Sequence, residues 1–204
     1  MSIKTYINSH LYQVFIEILV LVTLGIVGFQ VYSQHGKTQL NTLIQSIYDR
    51  NPNIKLMKDY GNKKDKYGRS LIFVAFYTKD LFTYDVFAIY HNVNLNVKDE
   101  FGVPLICTVL KSPKLEYLEN LLGSKKEIDF TITDKDGYNV LMTCVVMNKY
   151  KHFELIVNHL KKTKNELFIY GLFYRNQNRE GKTAANLTEE YKLEKFSKLI
   201  KGEN

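Results

Sequence analysis

One dodecapeptide constrains this chain more than any other feature, because near-copies of it recur at almost fixed intervals. Asp134 to Val145 reads Asp-Lys-Asp-Gly-Tyr-Asn-Val-Leu-Met-Thr-Cys-Val. Asp65 to Ala75 reads Asp-Lys-Tyr-Gly-Arg-Ser-Leu-Ile-Phe-Val-Ala, and Asp99 to Val109 reads Asp-Glu-Phe-Gly-Val-Pro-Leu-Ile-Cys-Thr-Val. A weaker copy, Asn-Arg-Glu-Gly-Lys-Thr-Ala-Ala-Asn-Leu-Thr, starts at Asn178. The glycines at 68, 102, 137 and 181 are therefore separated by 34, 35 and 44 residues. Two intervals share one period, and the third is that period with an insertion of about ten residues. Self-similarity of this kind marks stacked units, none of which buries its apolar face alone.

Each unit repeats one chemical plan. Asp-x-x-Gly makes a tight turn in which glycine supplies positive φ and the aspartate bonds nearby backbone amides. A short apolar helix follows: Leu71 to Ala75, Leu105 to Val109, Val140 to Val145. A second helix then carries an apolar stripe: Val86, Phe87, Ile89 and Tyr90; Leu115, Leu118, Leu121 and Leu122; Leu155, Ile156 and Leu160. Extended stretches, Asn94 to Asp99 and Ile128 to Asp134, lead into the next turn. Upstream, Leu40, Leu43, Ile44, Ile47 and Tyr48 fall at helical spacing within residues 36–52. That predicts an amphipathic helix stopped by Pro52, followed by a short helix near 53–59, which together form the cap that a stack needs. Residues 33–59 are thus linker and cap, and residues 60–204 the repeat domain.

The insertion, near 163–176, places Phe168, Tyr170, Phe173 and Tyr174 close together. Either these rings pack back onto the third and fourth units, or they form an exposed patch with Arg175 and Arg179. Residues 188–200 read as one charged last helix whose apolar side is Tyr191, Leu193, Phe196, Leu199 and Ile200.

Ahead of the repeats, after a tail of residues 1–13, the run from Val14 to Tyr32 contains a single charge, Glu17. At about 1.5 Å per residue this is enough helix to cross a hydrocarbon core of about 30 Å. No polar stripe interrupts it, and Tyr12, Phe15, Phe29 and Tyr32 sit near its ends, where interfaces favour aromatics. It reads as a single membrane-spanning helix, with a cleaved signal peptide as the alternative. Against cleavage stand a thin basic leader, Glu17 inside the apolar run, and no Ala-x-Ala site. Flanking charges are nearly balanced, so the side is read from the habit of singly anchored bacterial domains, which favours the periplasm. Cys107 and Cys144, as unpaired apolar fillers, lean mildly towards the cytoplasm.

The repeats resemble those of the ankyrin family, whose pattern is roughly Asp-x-x-Gly-x-Thr-Pro-Leu-His-x-Ala-Ala, a Leu-rich second helix, then Gly-Ala-x-Val-Asn. Asn92-Val-Asn-Leu-Asn-Val-Lys-Asp-Glu-Phe-Gly102 matches the repeat junction, and Gly181-Lys-Thr-Ala-Ala-Asn-Leu187 resembles a last repeat. The tetrad Thr-Pro-Leu-His is never complete: Ser70, Pro104, Asn139 and Thr183 hold its threonine position, and Phe73, Cys107, Met142 and Asn186 its histidine position. The resemblance, over about residues 60–200, implies an all-α ankyrin-repeat solenoid of paired helices with hairpin loops, preceded here by one transmembrane helix. It further implies a groove, lined by hairpin tips and first helices, that takes a protein partner. Carried over, the partner-binding positions are Lys66, Tyr67 and Arg69; Glu100 and Phe101; Lys135 and Tyr138; Arg179 and Lys182, with Tyr170, Phe173 and Tyr174 added from the insertion. Among bacterial proteins, short membrane-anchored members resemble immunity or accessory factors of secreted toxins.

The residues offer little to catalysis. His152 and His159 are seven apart on one helix, wider than the i, i+4 spacing of a shared metal, and no glycine-rich phosphate loop or nucleophile elbow is present. Asp134-Lys-Asp136-Gly137 lacks the later glutamate of a calcium loop. The expectation is a protein-binding module without catalytic residues, metal, cofactor or small-molecule substrate. The net charge of +7 keeps a second class open, a basic adaptor for a membrane surface or nucleic acid, although the lysines are scattered and nucleic acid is not favoured.

Overall fold

The computed structural model describes the main chain of residues 3–90 and 92–203, with side chains from residue 18 onward apart from position 91. Those residues are all-α, 62% helical, with no strand beyond two isolated bridges. They divide into two units, Met1–Thr42 and Leu43–Asn204.

Helix α1 runs unbroken through Ile3–Tyr48, where the sequence separates a tail, a span and a cap helix. Glycine disfavours a helix interior by only about 1 kcal/mol and no proline precedes Pro52, so nothing local stops it. The side-chain placements expected for Tyr12, Phe15 and Glu17 lie outside the described residues. From Ile18 to Tyr32 the apolar side chains are exposed, with Leu21 at 69% and Phe29 at 73%. Thr23, the polar residue among them, returns its hydroxyl to the Val20 carbonyl. The helix is long and apolar enough to cross a membrane near the N-terminus.

The second unit begins with the buried Leu43 and Ile47 of the last turns of α1. Arg50, at φ 57°, reverses the chain into α2, Ile54–Tyr60, which buries Met57. Helices then come in pairs. Helix α3, Leu71–Tyr77, packs on α4, Leu81–Ile89. Helix α5, Leu105–Thr108, tightens into a 3₁₀ turn over Val109–Lys111 before α6, Glu116–Gly123. Helix α7, Val140–Val146, packs on α8, Tyr150–Thr163. Helix α9, Glu166–Tyr170, widens into a π-helix over Gly171–Arg175. Finally α10, Ala184–Glu190, packs on α11, Glu194–Lys201. Second helices pack on second helices, α4 on α6, α6 on α8 and α8 on α11, while α5 packs on α7 and α7 on α10, so the pairs build two layers.

The core lies between the layers. Phe73, Tyr84, Phe87, Phe153, Phe173 and Phe196 are fully buried within it. The insertion packs inward: Phe173 meets Phe153 at 5.9 Å, and the Asn139 amide donates to the Leu172 carbonyl at 3.1 Å. Three details differ from the sequence reading. Ile89 is 55% exposed, outside the stripe made by Val86 and Phe87. Residues 188–200 form no single helix, because Lys192 adopts φ 56° and separates α10 from α11. Phe173 has no exposed surface to offer a partner, because the π-helix turns it into the core.

Candidate functional site

The four Asp/Asn-x-x-Gly turns share one hydrogen-bond pattern. In the first, Asp65 Oδ1 accepts from the amides of Tyr67 and Arg69, both at 2.9 Å. Asp99 does the same for Phe101 and Val103, Asp134 for Asp136 and Tyr138, and Asn178 for Glu180 and Lys182. In each turn the glycine amide donates back to the first residue's carbonyl. The glycines stand at φ +79°, +79°, +85° and +75°, a region where a Cβ is penalised. The turn hydrogen bonds thus use only the first residue's side chain, with a glycine free to take positive φ at the fourth position.

The following residue enters a helix in every copy. Asn139 and Thr183 cap α7 and α10 with their side chains, and Thr183 completes a reciprocal capping box with Asn186. Ser70 and Pro104 begin α3 and α5 with no side-chain cap bond. The incomplete tetrad therefore loses the capping bond in the first two units and keeps it in the last two.

At the second and third turn positions the side chains take no part in the turn hydrogen bonds, although Glu180 pairs with Lys182. Lys66, Glu100, Lys135 and Arg179 are exposed, and Tyr67 and Phe101 stand 65% and 67% exposed. Lys66 Nζ and Arg69 Cζ lie 5.0 and 5.1 Å from the Tyr67 ring centroid, so two cations flank one aromatic. Tyr138 is half-buried and occupies the fifth turn position, in register with Arg69 and Val103 rather than with Tyr67 and Phe101. Lys182 is held by Glu190 at 2.7 Å and Glu180 at 3.3 Å, which neutralises it locally. In the insertion, Tyr170 is 48% exposed and Tyr174 half-buried, with their rings 4.6 Å apart.

The fifth position also decides how each aspartate is satisfied. Arg69 donates to Asp65 Oδ2, its guanidinium reaching 2.6 Å, and also to the Tyr48 hydroxyl. Burial alone would push the Asp65 carboxyl up, but hydrogen bonds from the Arg69 side chain and the two turn amides outweigh it and hold the group below its ordinary value. In the second turn Val103 stands where Arg69 does, and the buried Asp99 Oδ2 has no hydrogen-bond partner.

Neighbouring turns touch. Arg179 N–H donates to the Asp136 carbonyl at 2.9 Å, joining the third turn to the fourth. Asn62 and Asn96, one period apart, staple successive units. Asn62 bonds the Asn92 carbonyl and the Asn94 amide, and Asn96 bonds the Glu127 carbonyl and the Asp129 amide. The sequence reading missed these staples, although asparagine recurring at the glycine period was the signal for them. The half-buried Lys126 ammonium donates to the Val93 carbonyl at 3.0 Å and is pushed down to about 8 by burial.

Among the described residues no group of three His, Cys, Asp or Glu side chains converges as metal ligands would. Cys107 and Cys144 are buried free thiols, and burial pushes Cys107 up to about 12, where it is a poor nucleophile. His152 is buried with its Nε2 unpartnered; burial first, then Lys149, lowers its pKa. The chain matches no protein-family model and no curated protein sequence.

Proposed function

We propose that this chain is an ankyrin-type, membrane-anchored module that holds a protein partner along the edge formed by its turns. The observation that carries the reading is that Tyr67 and Phe101 stand about two-thirds exposed at the same position of successive rigid turns. Large exposed aromatics on ordered backbone bind at little entropic cost and are favoured as interface anchors. Lys66, Arg69 and Lys135 beside them suit a partner face that is acidic and dotted with apolar groups. The period of 34 to 35 residues, the paired helices and the left-handed turn glycines support the ankyrin assignment. The exposed apolar helix supports the anchor; the periplasmic side rests only on the habit of singly anchored bacterial domains. A secreted toxin is the class of partner that the family resemblance implies.

The test uses the full chain as bait in native membranes, beside the variant Tyr67→Ser/Phe101→Ser/Tyr138→Ser. The expected result is one co-purifying protein, lost in the variant at unchanged circular dichroism. Retention by the variant sinks the reading. A bait that instead binds protein-free anionic vesicles, and releases them steeply with salt, would place the chain in the basic-adaptor class.

A further inference from the structure

At the ends of α3 and α5 away from the Asp-x-x-Gly turns lies a cavity of about 530 Å³. Phe76, Tyr77, Pro113 and Tyr117 line it, and Lys79, Lys111 and Lys114 add three ammonium groups. Its volume falls in the range of small-ligand sites, about 300–1,000 Å³. The lining comes from the helix ends and the Ser112–Pro113 loop, so the site is independent of the turn edge and of the reading placed on it.

The chemistry of the lining selects the ligand. The ion pairs among the described residues are Arg69 with Asp65 and Lys182 with Glu180 and Glu190, so none of the three cavity lysines is neutralised by a protein carboxylate. Asp80, whose Oδ2 caps α4 by accepting from the Thr83 amide at 2.9 Å and hydroxyl at 2.6 Å, keeps its charge, and its field reaches Lys114 and, with that of Glu116, Tyr117; the three ammonium groups outnumber these two carboxylates. The aromatic wall continues inward as a triangle of edge-to-face rings, Phe76–Tyr84 at 5.9 Å and Phe76–Tyr117 and Tyr84–Tyr117 at 5.1 Å. Both tyrosine hydroxyls in that triangle are buried donors with no acceptor.

We propose that this cavity binds a small amphiphilic carboxylate, with its apolar body against Phe76, Tyr77 and Tyr117 and its anionic head among Lys79, Lys111 and Lys114. The cation cluster sets the charge, and the aromatic wall sets the body as flat or short-chained. A neutral molecule of the same shape leaves the ammonium groups unanswered and binds less well.

The probe is 1-naphthylacetate, with its uncharged amide as control, titrated into the full chain in lipid nanodiscs. Because the chain has no tryptophan, naphthalene emission excited beyond the tyrosine band reports bound probe directly. The expected result is saturable binding above the empty-nanodisc background, weaker by about tenfold or more for the amide. The same loss is expected in Lys79→Gln/Lys111→Gln/Lys114→Gln, while the corresponding triple arginine variant retains binding. The three lysines are exposed, so the substitutions leave the core intact, which circular dichroism checks. No saturable binding, equal affinity for acid and amide, or affinity unmoved by the glutamines in a natively folded variant overturns the proposal.

Discussion

Replacing Gly137 by alanine tests whether the turns act as one edge or as separate loops. All four turn glycines have positive φ, so alanine at any of them costs about 1–2 kcal/mol for the backbone alone. At Gly68 a methyl group meets nothing within 4 Å, and the cost ends there. At Gly137 the same methyl falls 2.9 Å from Asn178 Cα and 3.0 Å from Arg179 N. Those atoms are main chain of the next turn and cannot rotate aside. Clearing the contact separates the turns and strains the Arg179 to Asp136 bond. Overpacking of this kind costs about 1–3 kcal/mol, and the lost hydrogen bond about 1 kcal/mol. Gly137→Ala is therefore destabilised by about 2–4 kcal/mol more than Gly68→Ala, equivalent to roughly 4–16 °C in Tm. The entropy that alanine removes from the unfolded chain is the same in both variants and cancels. Urea denaturation of each full-length variant in mild detergent, followed by far-ultraviolet circular dichroism, measures the difference. Agreement of the two within about 0.5 kcal/mol would refute the argument that the third and fourth turns bear on one another.

Two further outcomes follow from the aspartates. The Asp65 carboxyl is held below its unfolded value of about 3.9, so its contribution is present above that pH and lost as pH falls through the lower folded value. Asp65→Asn keeps both turn amide bonds, as Asn178 does in the fourth turn, but loses the pair with Arg69. It should cost about 1 kcal/mol at neutral pH and make acid unfolding shallower below about pH 4, and an unchanged acid limb in a pH titration of stability contradicts this. Val103→Arg should supply the guanidinium that Asp99 Oδ2 lacks and raise stability by up to about 1 kcal/mol, with a lowered urea midpoint as the contrary result.

What the sequence made legible was local. A glycine forced to positive φ and an aspartate reaching its own turn amides leave a signature within five residues, and all four turns were found that way. Short apolar runs after the turns marked α3, α5 and α7 for the same reason, whereas α10 overlaps the stretch read as one last helix. Non-local outcomes were not legible. Ile89 fits the helical stripe of α4, yet no neighbouring helix covers it, and periodicity does not report which flank of a stripe is covered. Phe173 belongs to an aromatic-rich insertion whose composition suits a core or an interface equally; a π-helix, which leaves no periodic trace in so short a segment, turned it inward. At the candidate edge, Tyr67 and Phe101 are solvent-facing as expected of hairpin tips, while Tyr138, which the sequence itself places beside the glycine, is half-buried, an outcome of packing that spacing does not report.

The division of labour inside each turn bears on how such a chain changes over time. The first and fourth residues, with the main chain, close the loop, and the two between them hold Lys-Tyr, Glu-Phe, Lys-Asp and Arg-Glu in successive copies. Charge is reversed and an aromatic exchanged for an acid from copy to copy while the hydrogen bonds stay the same. Variation at those sites leaves the turn hydrogen bonds in place, and under the proposed function it is where affinity for a partner would change. On that reading the edge could drift toward a new target one unit at a time while the turn scaffold stays the same.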